Sequence, residues 1–94
     1  MLLMVIERFK NGNIGPVGER FRAKGRMMPE NVSYVASWLD PAGTICFQLM
    51  EAPDAGALKP WISRWDDLMD CEVIPVLTSA DFWAKARPKE GGTS

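Results

Sequence analysis

The chain has 94 residues, of which 47% are hydrophobic and 24% charged, and its net charge is −1. This is the composition of one soluble globular domain. The near-neutral charge gives no electrostatic reason to expect nucleic-acid binding, although residues 1–30 carry six basic and three acidic side chains. Histidine is absent and the two cysteines have no CxxC spacing, which argues against a zinc site and removes the commonest general base near neutral pH.

The opening segment MLLMVIERFK is apolar for six residues only and has no basic region before it. It is too short for a signal peptide or a membrane span. We therefore predict a cytoplasmic protein with reduced thiols and no membrane partner.

Hydrophobic period and turn signals predict the first two elements. Leu2–Phe9 is an unbroken apolar run ending in charges, which predicts a central strand buried on both faces. After an Asn-Gly turn, Pro16 suits the first turn of a helix. The helical spacing of apolar residues predicts that this helix covers Val17–Met28 and ends at Pro29.

Residues 32–51 are predicted to form a hairpin. The β-rich segments VSYVASWLD and TICFQLME flank the tripeptide PAG, in which Pro41 suits the first turn position and Gly43 the left-handed one. A three-residue loop pairs Asp40 with Thr44 and thereby assigns the strand residues to two faces. The first, uncovered face is predicted to carry Tyr34, Ala36, Trp38, Cys46, Gln48 and Met50. The second, helix-covered face is predicted to carry Val35, Ser37, Leu39, Ile45, Phe47 and Leu49.

A second helix and a last strand complete the predicted domain. Asp54 can cap a helix that runs to about Met69. Trp61 and Trp65 lie in the apolar stripe of that helix, which favours core packing over a ligand site. The segment CEVIPVLTS predicts an edge strand, because Pro75 cannot donate to a ladder, and SADFWAK predicts a short capped turn.

The order βαββαβ predicts an α+β, ferredoxin-like fold with a four-stranded antiparallel sheet in the order 4-1-3-2 and two helices on one face. We expect residues 1–85 to form this single domain and residues 86–94 to form a disordered tail. Cys46 and Cys71 would lie about 10 Å apart, too far for a disulfide. The uncovered face is apolar and predicts a homodimer in which two sheets form a barrel around space for a small molecule.

Three segments also carry a family resemblance, namely MLLMVIERFK, FRAKGRMMPENVSYVASWLDPAGTICFQLMEAPD and WISRWDDLMDCEVIPVLTSADFW. They resemble an uncharacterised bacterial family, domain of unknown function 3303, over residues 1 to about 85, most specifically in the SWxDPxGxxCFQLMEAPD block. That family is similar in architecture to the dimeric α/β-barrel superfamily, which includes cofactor-free monooxygenases and muconolactone-isomerase-like enzymes. The resemblance implies fold and dimer, but it transfers no catalytic residues.

The candidate ligand-binding residues are taken from the predicted uncovered face and from strand ends; they are Tyr34, Trp38, Gln48, Met50, Arg8 and Glu51. Tyr34 and Trp38 offer aromatic walls, while an amide and a flexible thioether orient and accommodate a ligand. Arg8 offers a counter-charge to an anionic ligand, and Glu51 offers a base if burial raises its pKa. Interface packing of the two aromatic side chains and simple solvation of Glu51 are the alternatives.

Three functions remain open from the sequence. The preferred one is a homodimeric protein that binds a small apolar or aromatic ligand. The others are a cofactor-independent enzyme, monooxygenase- or isomerase-like, in the same cavity, and a structural or interaction dimer. No cofactor or metal is predicted, because the acidic cluster of Asp66, Asp67 and Asp70 does not converge on one point. The third strand lacks the basic-glycine-aromatic signature of RNA-recognition modules.

Overall fold

The computed structural model describes residues 1–86, which form one sheet with helices. Its elements are β1 (Leu2–Phe9), α1 (Gly15–Lys24), β2 (Ser33–Leu39), β3 (Ile45–Glu51), α2 (Lys59–Ser63), β4 (Met69–Val76) and α3 (Ser79–Ala86), with 3-10 turns at Lys10–Gly12 and Ala55–Leu58. The predicted βαββαβ order is confirmed, with α3 added where a short turn was expected. The predicted tail lies outside the described residues, apart from Ala86, which ends α3.

The four strands form one antiparallel sheet in the order β2-β3-β1-β4. This is the predicted strand order, with β1 in the centre and β4 at an edge. The sheet and helices make a ferredoxin-like α+β fold. No helix within residues 1–86 is long and apolar enough to cross a membrane.

The hydrophobic core lies between one sheet face and the helical layer. Alternate residues of β1 face it, and Leu3 and Val5 are fully buried there, whereas Met4 and Ile6 on the opposite face stay half-buried. From the helical side the core receives Leu58, Trp61 and Trp65. The prediction that the two tryptophans pack in the core is therefore confirmed.

The predicted assignment of hairpin residues to the two faces is wrong for β3. Its pairing with β1 places Cys46 opposite Glu7 and Met50 opposite Leu3, and so puts Cys46, Gln48 and Met50 on the helix-covered face, where they are buried. The bulkier Ile45, Phe47 and Leu49 occupy the uncovered face instead. The small side chain of Cys46 leaves room beneath the two indole rings of the helical layer, which a larger residue would fill.

The hairpin register differs by one residue from the predicted one. Leu39 pairs with Cys46, and the backbone N–H of Asp40 donates to the carbonyl of Ile45. The Asp40 carboxylate accepts from the backbone N–H groups of Thr44 (2.8 Å) and Ile45 (2.9 Å), so Thr44 stays in the loop. These hydrogen bonds lower the pKa of Asp40, and the bond from the Ile45 backbone N–H has the largest effect. A one-residue slip exchanges the faces of a strand.

A bulge in β2 then changes the facing once more. Tyr34 pairs with Met50 but Ala36 pairs with Leu49, which leaves Val35 as the extra residue. Tyr34 consequently shares the helix-covered side with Met50, while Trp38, opposite Phe47, stays on the uncovered side. The left-handed conformation predicted for Gly43 is confirmed, with φ of 73°.

Both main helices are shorter than predicted. Helix α1 ends at Gly25, which has a φ of 69°, a value that glycine adopts readily. The N–H of Gly25 donates to the carbonyl of Phe21 and closes the last turn. The helix therefore ends before Pro29. The second helix ends at Ser63, and turns carry the chain through residues 64–68. Met69, predicted to end this helix, instead pairs with Phe9 in the sheet.

Candidate functional site

A cavity of about 200 Å³ lies between the sheet and the helical layer. Its floor comes from the helix-covered face of β1 and β3, and its roof from α1 and the α2 region. Aromatic rings dominate the walls; they belong to Phe9, Phe21, Trp61 and Trp65. The side chains of Ile14, Phe21 and Leu39 are partly exposed, so the cavity opens to solvent between α1 and the edge strand β2.

Glu7 places a carboxyl group in this apolar cavity. Its side chain follows Leu3 and Val5 on the inner face of β1, and the residue is only 5% exposed. Burial raises the pKa of Glu7 to about 7, because the charged form loses its hydration. A hydrogen bond with the Cys46 thiol and the charge of Arg26 oppose this rise but do not cancel it.

Two cysteines flank Glu7 across the sheet. Cys46 on β3 and Cys71 on β4 both pair with Glu7, from opposite sides, which confirms the predicted separation of two ladder spacings. Both thiols are free. Burial, reinforced by the charge of Glu7, raises the pKa of each thiol to about 12. They are therefore protonated at neutral pH and unsuited to nucleophilic catalysis.

Arg26 lies at one side of the cavity mouth, and hydrogen bonds to its backbone carbonyl hold it in place. Its carbonyl oxygen accepts hydrogen bonds from the indole N–H groups of Trp61 (3.0 Å) and Trp65 (3.1 Å). Its guanidinium carbon lies 3.7 Å from the centre of the Tyr34 ring and 5.1 Å from that of Phe21. The cation–π contacts thus join α1 to β2 across the opening.

A second arginine holds α1 over the sheet. Arg20 donates two hydrogen bonds to the carboxylate of Asp67, at 2.8 and 2.7 Å, and a third to the carbonyl oxygen of Arg64. The hydrogen bond from Arg20 lowers the pKa of Asp67. Asp67 therefore anchors the helix, and the described residues contain no group of acidic, cysteine or histidine side chains arranged to hold a metal ion.

The structure divides the predicted ligand-binding residues between the two faces of the sheet. Gln48 lines the cavity and Met50 is buried on the same face, while Tyr34 stacks on Arg26 at the cavity mouth. Three others lie on the uncovered face: Trp38, Arg8 and Glu51 are exposed there, and Arg8 forms a 3.0 Å ion pair with Glu72. The predicted grouping of all six around one space is therefore wrong.

Glu7 was not among the candidate site residues predicted from the sequence. The available signal is the alternation of the first strand, in which Leu3, Val5, Glu7 and Phe9 share one face. A carboxylate between apolar residues on the inner face of a central strand is the arrangement that raises a pKa. Arg26 carried no comparable signal, because it lies in an irregular segment.

The uncovered face of the sheet, called here the open face, is the second notable surface. It is apolar across all four strands and consists of Leu2, Met4, Ile6, Ala36, Trp38, Ile45, Phe47, Leu49, Ile74 and Val76, with Arg8, Glu51, Asp70 and Glu72 at its margins. Trp38 is 54% exposed. A single chain therefore leaves a continuous apolar sheet surface in contact with water.

Together these features define a ferredoxin-like α+β domain with an aromatic cavity beneath its helices that opens to solvent. The family model for a domain of unknown function, DUF3303, matches residues 1–90. The chain belongs to this family, as its sequence segments indicated. No curated protein and no solved structure matches the chain in two further comparisons.

Proposed function

We propose that this protein is a homodimeric small-molecule-binding protein whose ligand occupies the cavity between sheet and helices. The observation that carries the proposal is the buried Glu7 carboxyl group, which faces an apolar space instead of an ion-pair partner. A thiol such as that of Cys46 is a weak hydrogen-bond partner and replaces the lost hydration of a buried carboxyl only in part, and a ligand that bonds to the carboxyl offsets that cost. Ligand pockets typically combine apolar walls with a few such polar groups.

The ligand test uses Gly18, which lines the cavity from α1. A Cβ atom at this position meets only the end of the Arg22 side chain, at 3.9 Å, so a larger side chain causes no steric clash there. We expect Gly18→Leu to fill the cavity and remain folded, since glycine inside a helix is unfavourable. A thermal-shift screen of metabolites should give compounds that stabilise the wild type and not Gly18→Leu.

Two matched variants make that screen specific. Gly18→Ala gains helix propensity but reaches less far into the cavity, and Trp38→Ala alters only the open face; both should keep most of the ligand-induced shift. If the compounds stabilise Gly18→Leu as strongly as the wild type but fail with Trp38→Ala, the ligand site is on the open face and the proposal for the cavity is wrong.

The homodimer is proposed through the open face. A continuous apolar surface of four strands is rarely left in water by a monomer, and a two-fold axis covers it with an identical surface. We expect an interface of about 1,200–2,000 Å² in total. Trp38 lies on the open face and therefore stays in the proposed interface, whereas Cys46, Gln48 and Met50, predicted beside it, lie on the opposite face.

Phe47→Asp tests the dimer, because it places a charge at the centre of the open face without touching the cavity floor. We expect sedimentation at micromolar concentration to give a dimer for the wild type and a monomer for this variant. Glu51→Gln, at the margin of the same face, is the control and should remain dimeric. A wild-type protein that sediments as a monomer would contradict the proposed homodimer.

The pKa of Glu7 favours a second candidate, a cofactor-independent enzyme in the same cavity. A carboxyl group whose pKa lies at about 7 takes up and releases protons readily at neutral pH, as a general acid or base must. A ligand found in the screen would then exchange a carbon-bound hydrogen for deuterium in heavy water, as followed by NMR. Glu7→Gln should abolish exchange and keep binding; equal exchange in both proteins would exclude this role.

A further inference from the structure

We propose that the cavity takes a neutral single-ring aromatic compound with one hydroxyl group, a phenol in the chemical sense. The inference rests on the proposed function, because it specifies the ligand class of the same cavity. Three independent observations carry it: the size and walls of the cavity, the two polar groups on its floor, and the charge balance at its mouth.

The size of the cavity fits one ring. Its volume of about 200 Å³ is somewhat larger than the roughly 150 Å³ in which an engineered apolar cavity binds benzene. The indoles of Trp61 and Trp65 and the ring of Phe9 supply the aromatic walls, and aromatic pairs gain from offset or edge-to-face contacts.

The polar groups on the floor fit a hydroxyl. Glu7 on β1 and Gln48 on β3 are diagonal neighbours in the sheet, since Gln48 pairs with Val5, and both line the cavity. The amide nitrogen of Gln48 makes only a 3.4 Å contact to the sulfur of Met50. A hydroxyl group both donates and accepts, so it can donate to one of these side chains and accept from the other.

The charges around the cavity favour a neutral compound. The lining holds one acid, Glu7, and one base, Arg26. When Glu7 is ionised the two charges balance, so neither an anion nor a cation gains a net attraction. The Arg26 guanidinium is already engaged by the rings of Tyr34 and Phe21, and an anionic ligand would have to draw it from both.

Four probes of similar size test the class: 4-methylphenol, toluene, benzoate and benzylammonium, titrated into the protein and followed by NMR at pH 7. We expect 4-methylphenol to bind about tenfold more tightly than toluene, the preference that one or two buried hydrogen bonds give. Benzoate and benzylammonium should bind more weakly than toluene. In Glu7→Leu and in Gln48→Leu, the preference for 4-methylphenol over toluene should fall to about twofold or less.

Gly18→Leu, which fills the cavity, should abolish binding of 4-methylphenol. The ligand class is wrong if toluene binds as well as 4-methylphenol to the wild type, or if either charged probe binds best. The proposed function survives that result as long as compounds from the metabolite screen still require an open cavity. If no compound of either experiment depends on the cavity, both the class and the function are wrong.

Discussion

Replacing Trp65 with alanine is expected to lower the free energy of unfolding by about 3–5 kcal/mol and to reduce the yield of soluble protein. The side chain is only 3% exposed and lies in the core. The substitution also removes one of the two indole hydrogen bonds to the Arg26 carbonyl and the face on which Arg20 rests, 5.6 Å from the ring centre. The variant therefore loses core packing, one hydrogen bond that holds the Arg26 segment, and the ring contact of Arg20 together.

Trp83→Ala is the matched control, because it removes the same atoms from a side chain that is 60% exposed on α3. Its effect on the free energy of unfolding should stay within about 0.5 kcal/mol. Urea denaturation followed by circular dichroism measures both variants. If Trp65→Ala melts cooperatively near the wild type and loses only ligand binding, Trp65 is a binding residue and its place in the core contributes little.

The stability of the protein is expected to fall as pH rises from about 5 to 8, and Glu7→Gln should remove this fall. The unfolded chain releases the Glu7 proton near the ordinary value of 4.5, whereas the folded protein keeps it up to about pH 7. Between these values the folded state binds more protons, so each increase in pH favours unfolding. The shift corresponds to about 3 kcal/mol, lost in full above pH 7.

The pH window for this measurement is clear of other side chains that titrate near neutrality, since the sequence has no histidine. Asp40 and Asp67, whose pKa values lie below the ordinary 3.8, stabilise the fold above that value and lose their effect only in more acidic solution. Denaturation at pH 5.5 and 7.5 should show Glu7→Gln close to wild type at the lower pH and more stable at the higher, and both values lie below the range in which the thiols of the unfolded chain titrate. Glu51→Gln, exposed on β3, should follow the wild type; a flat wild-type profile would contradict the raised pKa.

The sequence predicted the architecture because the signals for it are local. The unbroken apolar run of β1 indicated the central strand, Pro75 indicated an edge, and the turn at Gly43 joined β2 to β3. The stripe that contains Trp61 and Trp65 indicated burial. That stripe is buried, although the structure carries it on a 3-10 turn, a short helix, irregular turns and the first residue of β4. The apolar character of these residues was enough to predict their burial, but not the length of the helix that carries them.

The facing of β3 could not be predicted for a physical reason. Hydrophobic alternation specifies a strand's facing only when one side is polar, and here both sides are apolar: Ile45, Phe47 and Leu49 on one, with Cys46 and Met50 on the other. The loop therefore determines the facing of β3. There the Asp40 carboxylate binds Thr44 and keeps it out of the strand pairing. A side-chain bond of this kind lengthens the loop by one residue, and a rule for turn types does not contain it.

The candidate site was missed for a related reason. Predicted binding residues were sought on the uncovered face, whereas the aromatic cavity that contains Glu7 lies under the helices. Gln48 is the predicted ligand-binding residue that lines the cavity. Glu7, which gives the cavity its chemistry, is separated from other acidic residues in sequence, so only its position on the inner face of β1 reveals its burial.

The thiols beside Glu7 can report on local opening of this small domain. Cys46 lies beneath the helical layer and its proton is held well above neutral pH, so an alkylating reagent has no thiolate to attack while the layer is closed. Reaction requires the helices to separate transiently from the sheet, as amide exchange requires local opening. The alkylation rate at Cys46 therefore measures how often the layer separates from the sheet, and a ligand in the space beneath it would slow that rate.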